Sequence, residues 1–103
     1  MKPRRKPGAE RKRLESRLFR ALLRLKTVGE CRAFFLDLCT PAEVELLCDR
    51  WEVVGLLLEK QSYRAISART GASPVTVGRV ARALRGPNAG YRRVLERMGE
   101  WKD

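Results

Sequence analysis

Residues 62–85 read SYRAISARTGASPVTVGRVARALR, and their punctuation decides the fold. Ser62 fits the N-cap of a short helix ending near Thr70. Gly71 then supplies a turn, because glycine alone tolerates positive φ without strain. Ser73 caps a second helix, with Pro74 at the first helical position, where its missing N–H costs nothing. Ile66, Val77, Val80 and Leu84 are spaced to face one core. Ser67 is small where the two helices must approach. An apolar residue, a small one, three more residues, glycine, then valine six residues later is the spacing of a helix-turn-helix.

That spacing has physical consequences. The first helix of such a pair braces across a nucleic-acid backbone, and the second places its N-terminal turn in a major groove wide enough for one helix. Pro74, Val75, Gly78, Arg79 and Arg82 are left on the outer faces of the second helix. The alternative is a plain helical hairpin inside a bundle. An ordinary surface hairpin carries both signs of charge, whereas residues 61–93 hold seven arginines and no acid.

Working outward, the formal charge of the 103-residue chain is +11. Residues 1–13 carry seven Lys/Arg against Glu10, and residues 14–60 carry seven bases against eight acids. Residues 94–103 carry two bases and three acids. The positive charge therefore sits in two blocks around a nearly neutral apolar body, which is an electrostatic footprint for a polyanion. Residues 1–10 (MKPRRKPGAE) have almost nothing to bury and read as a basic flexible arm. Residues 11–103 read as a single nucleic-acid-binding domain.

The remaining helices follow from apolar spacing and caps. Leu14, Leu18, Ala21, Leu22 and Leu25 form an apolar stripe on a helix from Arg11 to Lys26. Thr27-Val28-Gly29-Glu30 is a capping box opening a helix to about Leu38, which should bury Cys31, Phe34, Phe35 and Leu38. Thr40-Pro41-Ala42-Glu43 opens the longest helix, to about Lys60, with Val44, Leu47, Cys48, Trp51, Val54 and Leu58 on one face. A last helix spans about 91–101. The expected fold is all-α, a bundle of about six helices.

Several classes are excluded. The chain has no histidine, so the commonest general base and the commonest metal ligand are missing. Cys31, Cys39 and Cys48 form no C-x-x-C pair, so neither zinc nor a disulfide framework is expected, and the cysteines on apolar faces read as small buried hydrophobes. No metal, no enzymatic activity and no membrane span are expected, since no apolar stretch approaches ~18 residues. A cytoplasmic location, on the nucleoid when bound, fits reduced cysteines and a DNA partner.

The run from Glu30 to Gly99 resembles the Trp-repressor family, and especially its YerC-type branch. The resemblance rests on ECRAFFLDLCTPAE, LLCDRWEVVGLLLE, YRAISARTGASPVTVGRV and GYRRVLERMG, in one unbroken order. It implies intertwined all-helical homodimers that bind palindromic operators as transcriptional repressors. It also implies an effector pocket at Thr40, Arg50, Thr76 and Arg79, where tryptophan-responsive members hold their ligand. Val80 and Ala83 depart from that pattern: the first would crowd an indole ring and the second removes an acceptor for its ammonium group. An amino-acid corepressor stays open, and L-tryptophan is disfavoured.

On the DNA side the resemblance assigns Arg64 to guanine, and Pro74, Val75 and Gly78 to the groove. Ser73, Thr76 and Arg79 lie on the same segment, and Arg69, Arg82 and Arg85 read as phosphate contacts. A Pro/Val tip offers thymine-methyl contact or water-mediated and shape-based readout. Two rival readings remain. One is a replication-initiator-type or sigma-type DNA-binding module. The other is a membrane or protein interaction module using the basic amphipathic helix 11–26.

Overall fold

The computed structural model describes residues 7–103. It holds six α-helices and, among the described residues, no strand. They are α1 (Gly8–Leu22), α2 (Val28–Leu38), α3 (Pro41–Leu58), α4 (Tyr63–Thr70), α5 (Pro74–Leu84) and α6 (Gly90–Met98). The described residues divide into two compact units, one ending at Thr40 and the other beginning at Pro41.

The second unit owns the hydrophobic core. Helix α3 packs against α4 and α5, α4 packs against α5, and α5 against α6. Val53, Val54, Leu56, Ile66, Ala72, Val77, Val80 and Leu95 are buried together, with Leu57, Leu58, Leu84, Tyr91 and Trp101 closing its rim. Each buried aliphatic side chain of this size contributes roughly 1.5–3 kcal/mol. Ile66, Val77, Val80 and Leu84 thus share one core, as their spacing predicts.

The apolar face expected on α3 is only half right. Val54 is buried and Leu58 is packed on the core, but Leu47, Cys48 and Trp51 are exposed. Every buried residue of α3 lies in its C-terminal half, at Val53, Val54 and Leu56. The helices that cover α3 within this unit meet it there and leave its first turns bare.

In the first unit, neither α1 nor α2 contains a buried residue. The sequence reading buried Cys31, Phe34, Phe35 and Leu38. In the structure Cys31 and Leu38 are exposed, while Phe34 and Phe35 are half-buried and meet edge to face with ring centroids 6.1 Å apart. The cysteines are likewise not buried hydrophobes: Cys31 and Cys48 are exposed, Cys39 is half-buried, and all three thiols are free. The periodicity marks a face that prefers to be covered, and Cys31 and Leu38 at its edges remain exposed.

Helix α1 begins at Gly8, three residues before the expected start, and ends at Leu22 rather than Lys26. Gly8, Ala9 and Glu10 are therefore helical, while the basic residues 1–6 of the expected arm lie outside the described residues. Helix α2 keeps its expected bounds because Thr27 caps it: the Thr27 Oγ1 accepts from the Glu30 N–H at 3.0 Å. Glu30 reaches back to accept from the Lys26 N–H at 2.9 Å. Two orphan donors at the helix start are thereby satisfied.

Candidate nucleic-acid interface

Helices α4 and α5 are joined by Gly71, Ala72 and Ser73, and local chemistry fixes each end. The Ser62 hydroxyl accepts from the Ala65 N–H at 3.1 Å and starts α4. Gly71 ends it in the left-handed region at φ 78°, its N–H donating to the Ser67 carbonyl. A Cβ on Gly71 would meet nothing within 4 Å, so torsion rather than space demands glycine there. Thr70 stiffens the corner. Its hydroxyl donates to the Ile66 carbonyl at 2.8 Å and accepts from the Ala72 N–H at 3.0 Å. Ala72 is itself buried, which pins the turn to the core.

Ser73 then caps α5. Its hydroxyl oxygen accepts from the Thr76 N–H and donates to the Thr76 hydroxyl, both at 3.1 Å. Ser73 and Thr76, both expected near DNA, are thus engaged with each other at the mouth of the helix. Pro74 occupies the first position, where its missing N–H leaves no donor unsatisfied, and the Val77 N–H donates to the Ser73 carbonyl at 3.0 Å.

The two faces of α5 differ sharply. Val77, Val80 and Ala81 are buried. Pro74, Val75, Arg79 and Arg82 are exposed, and Gly78 is half-buried between them. Val75 is 78% exposed, unusual for a large aliphatic residue at a helix start. A Cβ on Gly78 would lie 3.5 Å from one terminal nitrogen of Arg82, so the arginine folds back along the helix over the glycine. On α4, Arg64 and Arg69 are exposed, and so is Arg85 at the end of α5. No acidic residue occurs on either helix or on the turn between them.

Two features escaped the sequence reading. Tyr63, the first residue of α4 and neighbour of Arg64, is 46% exposed and adds an aromatic hydroxyl to the same end of the helix. Arg92 belongs by sequence to the acid-free block, yet its Nε donates to Glu96 at 3.1 Å and its guanidinium lies 4.9 Å from the centre of the Trp101 ring. Arg92 is therefore a structural residue of the C-terminal segment. The i, i+4 spacing of Arg92 and Glu96 on one helix was the available signal.

The chain matches the family described as Trp repressor protein over residues 12–99. The chain belongs to the Trp repressor family. This is a family of regulators rather than of enzymes. Within it, the chain is similar to the uncharacterized protein YerC of Bacillus subtilis (strain 168), with 43% identity over 83 residues, 81% of this chain and 80% of that protein. Its fold matches the crystal structure of a TrpR-like protein from Eubacterium eligens ATCC 27750, with a TM-score of 0.78 at 43% identity, covering 85% of this chain and 91% of that one. It also matches a "putative Trp repressor" from Staphylococcus aureus, with a TM-score of 0.82 at 33% identity, covering 95% of this chain and 100% of that one. The expected membership, its YerC-like branch and the all-α fold are thereby established.

The family's effector positions fall as follows. Arg50 is half-buried, and its Nε is buried without a partner. Thr76 is half-buried and Arg79 is exposed. Val80 points into the chain's own core and is 1% exposed, so its side chain is packing rather than pocket wall. Ala83 is exposed and lines a groove of about 510 Å³ with Trp51, Asn88, Gly90, Tyr91 and Val94. Among the described residues no cluster suited to a metal ion occurs, and no helix is long and apolar enough to cross a membrane.

Proposed function

We propose that this chain is a homodimeric, sequence-specific double-stranded DNA-binding regulator of transcription, acting as a repressor through α4 and α5. The observation that carries the reading is the two-sidedness of α5. Its inner face is locked into the core at Val77, Val80 and Ala81, while Pro74, Val75, Arg79 and Arg82 stand exposed with no acid beside them. Rigid support beneath an acid-free, partly apolar helix tip is what insertion into a major groove requires.

Roles follow from chemistry. Arg64 carries direct guanine recognition, since a guanidinium fits the two acceptors of that base. Pro74 and Val75 offer no side-chain donors and meet thymine methyl groups or shape. Arg69, Arg82 and Arg85 contact phosphates, giving affinity that falls steeply with salt.

The homodimer is supported by what the chain leaves bare. Residues 7–40 bury no side chain, and Leu23 and Val28 are more than four-fifths exposed. Leu46, Leu47, Trp51, Val94 and Met98 are exposed as well. Ordering a segment costs on the order of 1–2 kcal/mol per residue in backbone entropy, which uncovered helices do not repay. A second copy supplies complementary apolar faces and presents two recognition helices about one DNA turn apart. The regulator works without L-tryptophan, because Ala83 offers no acceptor for its ammonium group. Calorimetric titration with L-tryptophan should give no binding heat.

The test is selection of duplexes from a random pool, followed by titration of variants. Arg64→Ala should flatten the sequence preference, while Arg82→Ala lowers affinity evenly across sequences. Equal behaviour of the two variants would refute the division into base and backbone contacts.

A further inference from the structure

Helix α1 carries a feature that its neutral sequence neighbourhood conceals. Arg13, Arg17, Arg20 and Arg24 recur at steps of four, three and four residues. At about 100° per residue their directions fall within about 60° of arc. Arg24 follows the end of the helix, but the chain keeps turning there: the Arg24 N–H donates to the Ala21 carbonyl at 3.0 Å and the Leu25 N–H to the Leu22 carbonyl at 3.1 Å. Arg20, Leu23 and Arg24 line one surface depression. All four arginines are exposed. Only Arg13 has an acidic neighbour, Glu10 at 3.8 Å, and that pair is largely solvated. Among the described residues Arg17, Arg20 and Arg24 have no ion-pair partner.

A solubilising surface would mix signs along this stripe. The helix macrodipole favours cations in the last turn only, which accounts for Arg20 and Arg24 but not for Arg13 and Arg17. The stripe extends about 16 Å at 1.5 Å per residue. One DNA strand presents a charge every ~3.4 Å of axis, so this length faces about five phosphates. All four residues are arginine, whose planar fork binds phosphate oxygens in pairs. The apolar stripe of Leu14, Leu18, Ala21 and Leu22 lies about 110° around the helix.

We propose that Arg13, Arg17, Arg20 and Arg24 form a second contact surface for the phosphate backbone of duplex DNA, adding affinity without sequence preference. The proposal rests on the reading of the chain as a DNA-binding dimer, because the dimer occupies the apolar stripe that an embedded membrane helix would need free.

The test replaces Arg17, Arg20 and Arg24 by glutamine together and measures binding to a selected and to a scrambled duplex between 50 and 200 mM salt. Each phosphate contact contributes about 0.9 to the logarithmic salt slope, so the slope should fall by about 2.7 per chain. For the dimer the fall is about 5.4, so over that salt range the parent should lose on the order of 1,000-fold more affinity than the variant. The ratio of selected to scrambled binding should not change. Arg20→Gln alone should lower the slope by about 1.8 for the dimer, and the triple lysine variant should keep the parental slope. An unchanged slope in a dimer of parental helicity overturns the proposal. So does loss of binding to vesicles of anionic phospholipid with duplex binding intact. If the triple glutamine variant does not fold, the Arg20→Gln slope decides. If Arg64→Ala and Arg82→Ala leave binding untouched while the stripe variants weaken it, the recognition-helix reading fails and the stripe stands. The converse pattern removes the stripe alone.

Discussion

Gly71→Ala isolates the torsional cost of the turn that aims α5. Gly71 sits at φ 78°, and an added Cβ would meet no atom within 4 Å. Steric collision therefore contributes nothing, and the whole penalty is that of placing an L-residue in the left-handed region, about 1–2 kcal/mol. The hydrogen bond from its N–H to the Ser67 carbonyl at 2.9 Å survives the substitution. Gly71→Asn should recover part of the loss, since asparagine tolerates this conformation better than alanine. Urea denaturation at one fixed protein concentration measures both, because association shifts apparent stability by mass action. Duplex binding by the folded alanine variant should stay within a few-fold of the parent, because Ala72, Val77 and Val80 still anchor the second helix in the core. A loss above about 4 kcal/mol would mean that space as well as torsion matters. Asparagine no better than alanine would refute the torsional account.

Three further outcomes follow from the same packing. Val77→Ala removes two methyl groups from a fully buried site on α5 and should cost about 2–3 kcal/mol with the exposed groups of the helix unchanged, read by urea melts and duplex titration. Leu22→Glu, on the apolar stripe of α1, should abolish dimerisation in sedimentation velocity, and the parent's melting temperature should rise with protein concentration. Cys31 shares its face with Phe34, Phe35 and Leu38, so its labelling by a thiol reagent should be slow in concentrated protein and accelerate on dilution. Uniformly fast labelling would argue against a covered α2.

The turn was the most legible part of the fold. Ser62, Thr70, Gly71, Ser73 and Pro74 each have one local job, and hydrogen bonds within a few residues settle it. The bounds of α2, α4 and α5 were readable for that reason. Burial was less legible. Leu47, Trp51 and Cys31 have the period of a covered face, but periodicity does not say whose side chains do the covering. Those residues are exposed in the single chain. The split of α5 into a buried and an exposed face was legible because it depends on the spacing within that helix alone. Arg92 falls in the acid-free block only because that block ends at residue 93, three residues before Glu96, whose carboxylate lies 3.1 Å from its Nε on the same helix.

The same arithmetic hid the α1 stripe. Residues 14–60 sum to nearly zero, yet their charges are not evenly spread. Arg17 and Arg20 stand on α1 and Arg24 on the turn that continues it, while Glu43, Glu45, Asp49 and Glu52 belong to α3. Coulomb attraction at a surface falls off within about a Debye length, ~8 Å at physiological salt. A polyanion laid along α1 therefore senses most strongly the arginines directly beneath it. Charge read per helix face predicts contacts that charge read per segment erases. For this chain the difference decides whether its basic surface is one recognition helix and an arm, or includes a second phosphate-binding stripe.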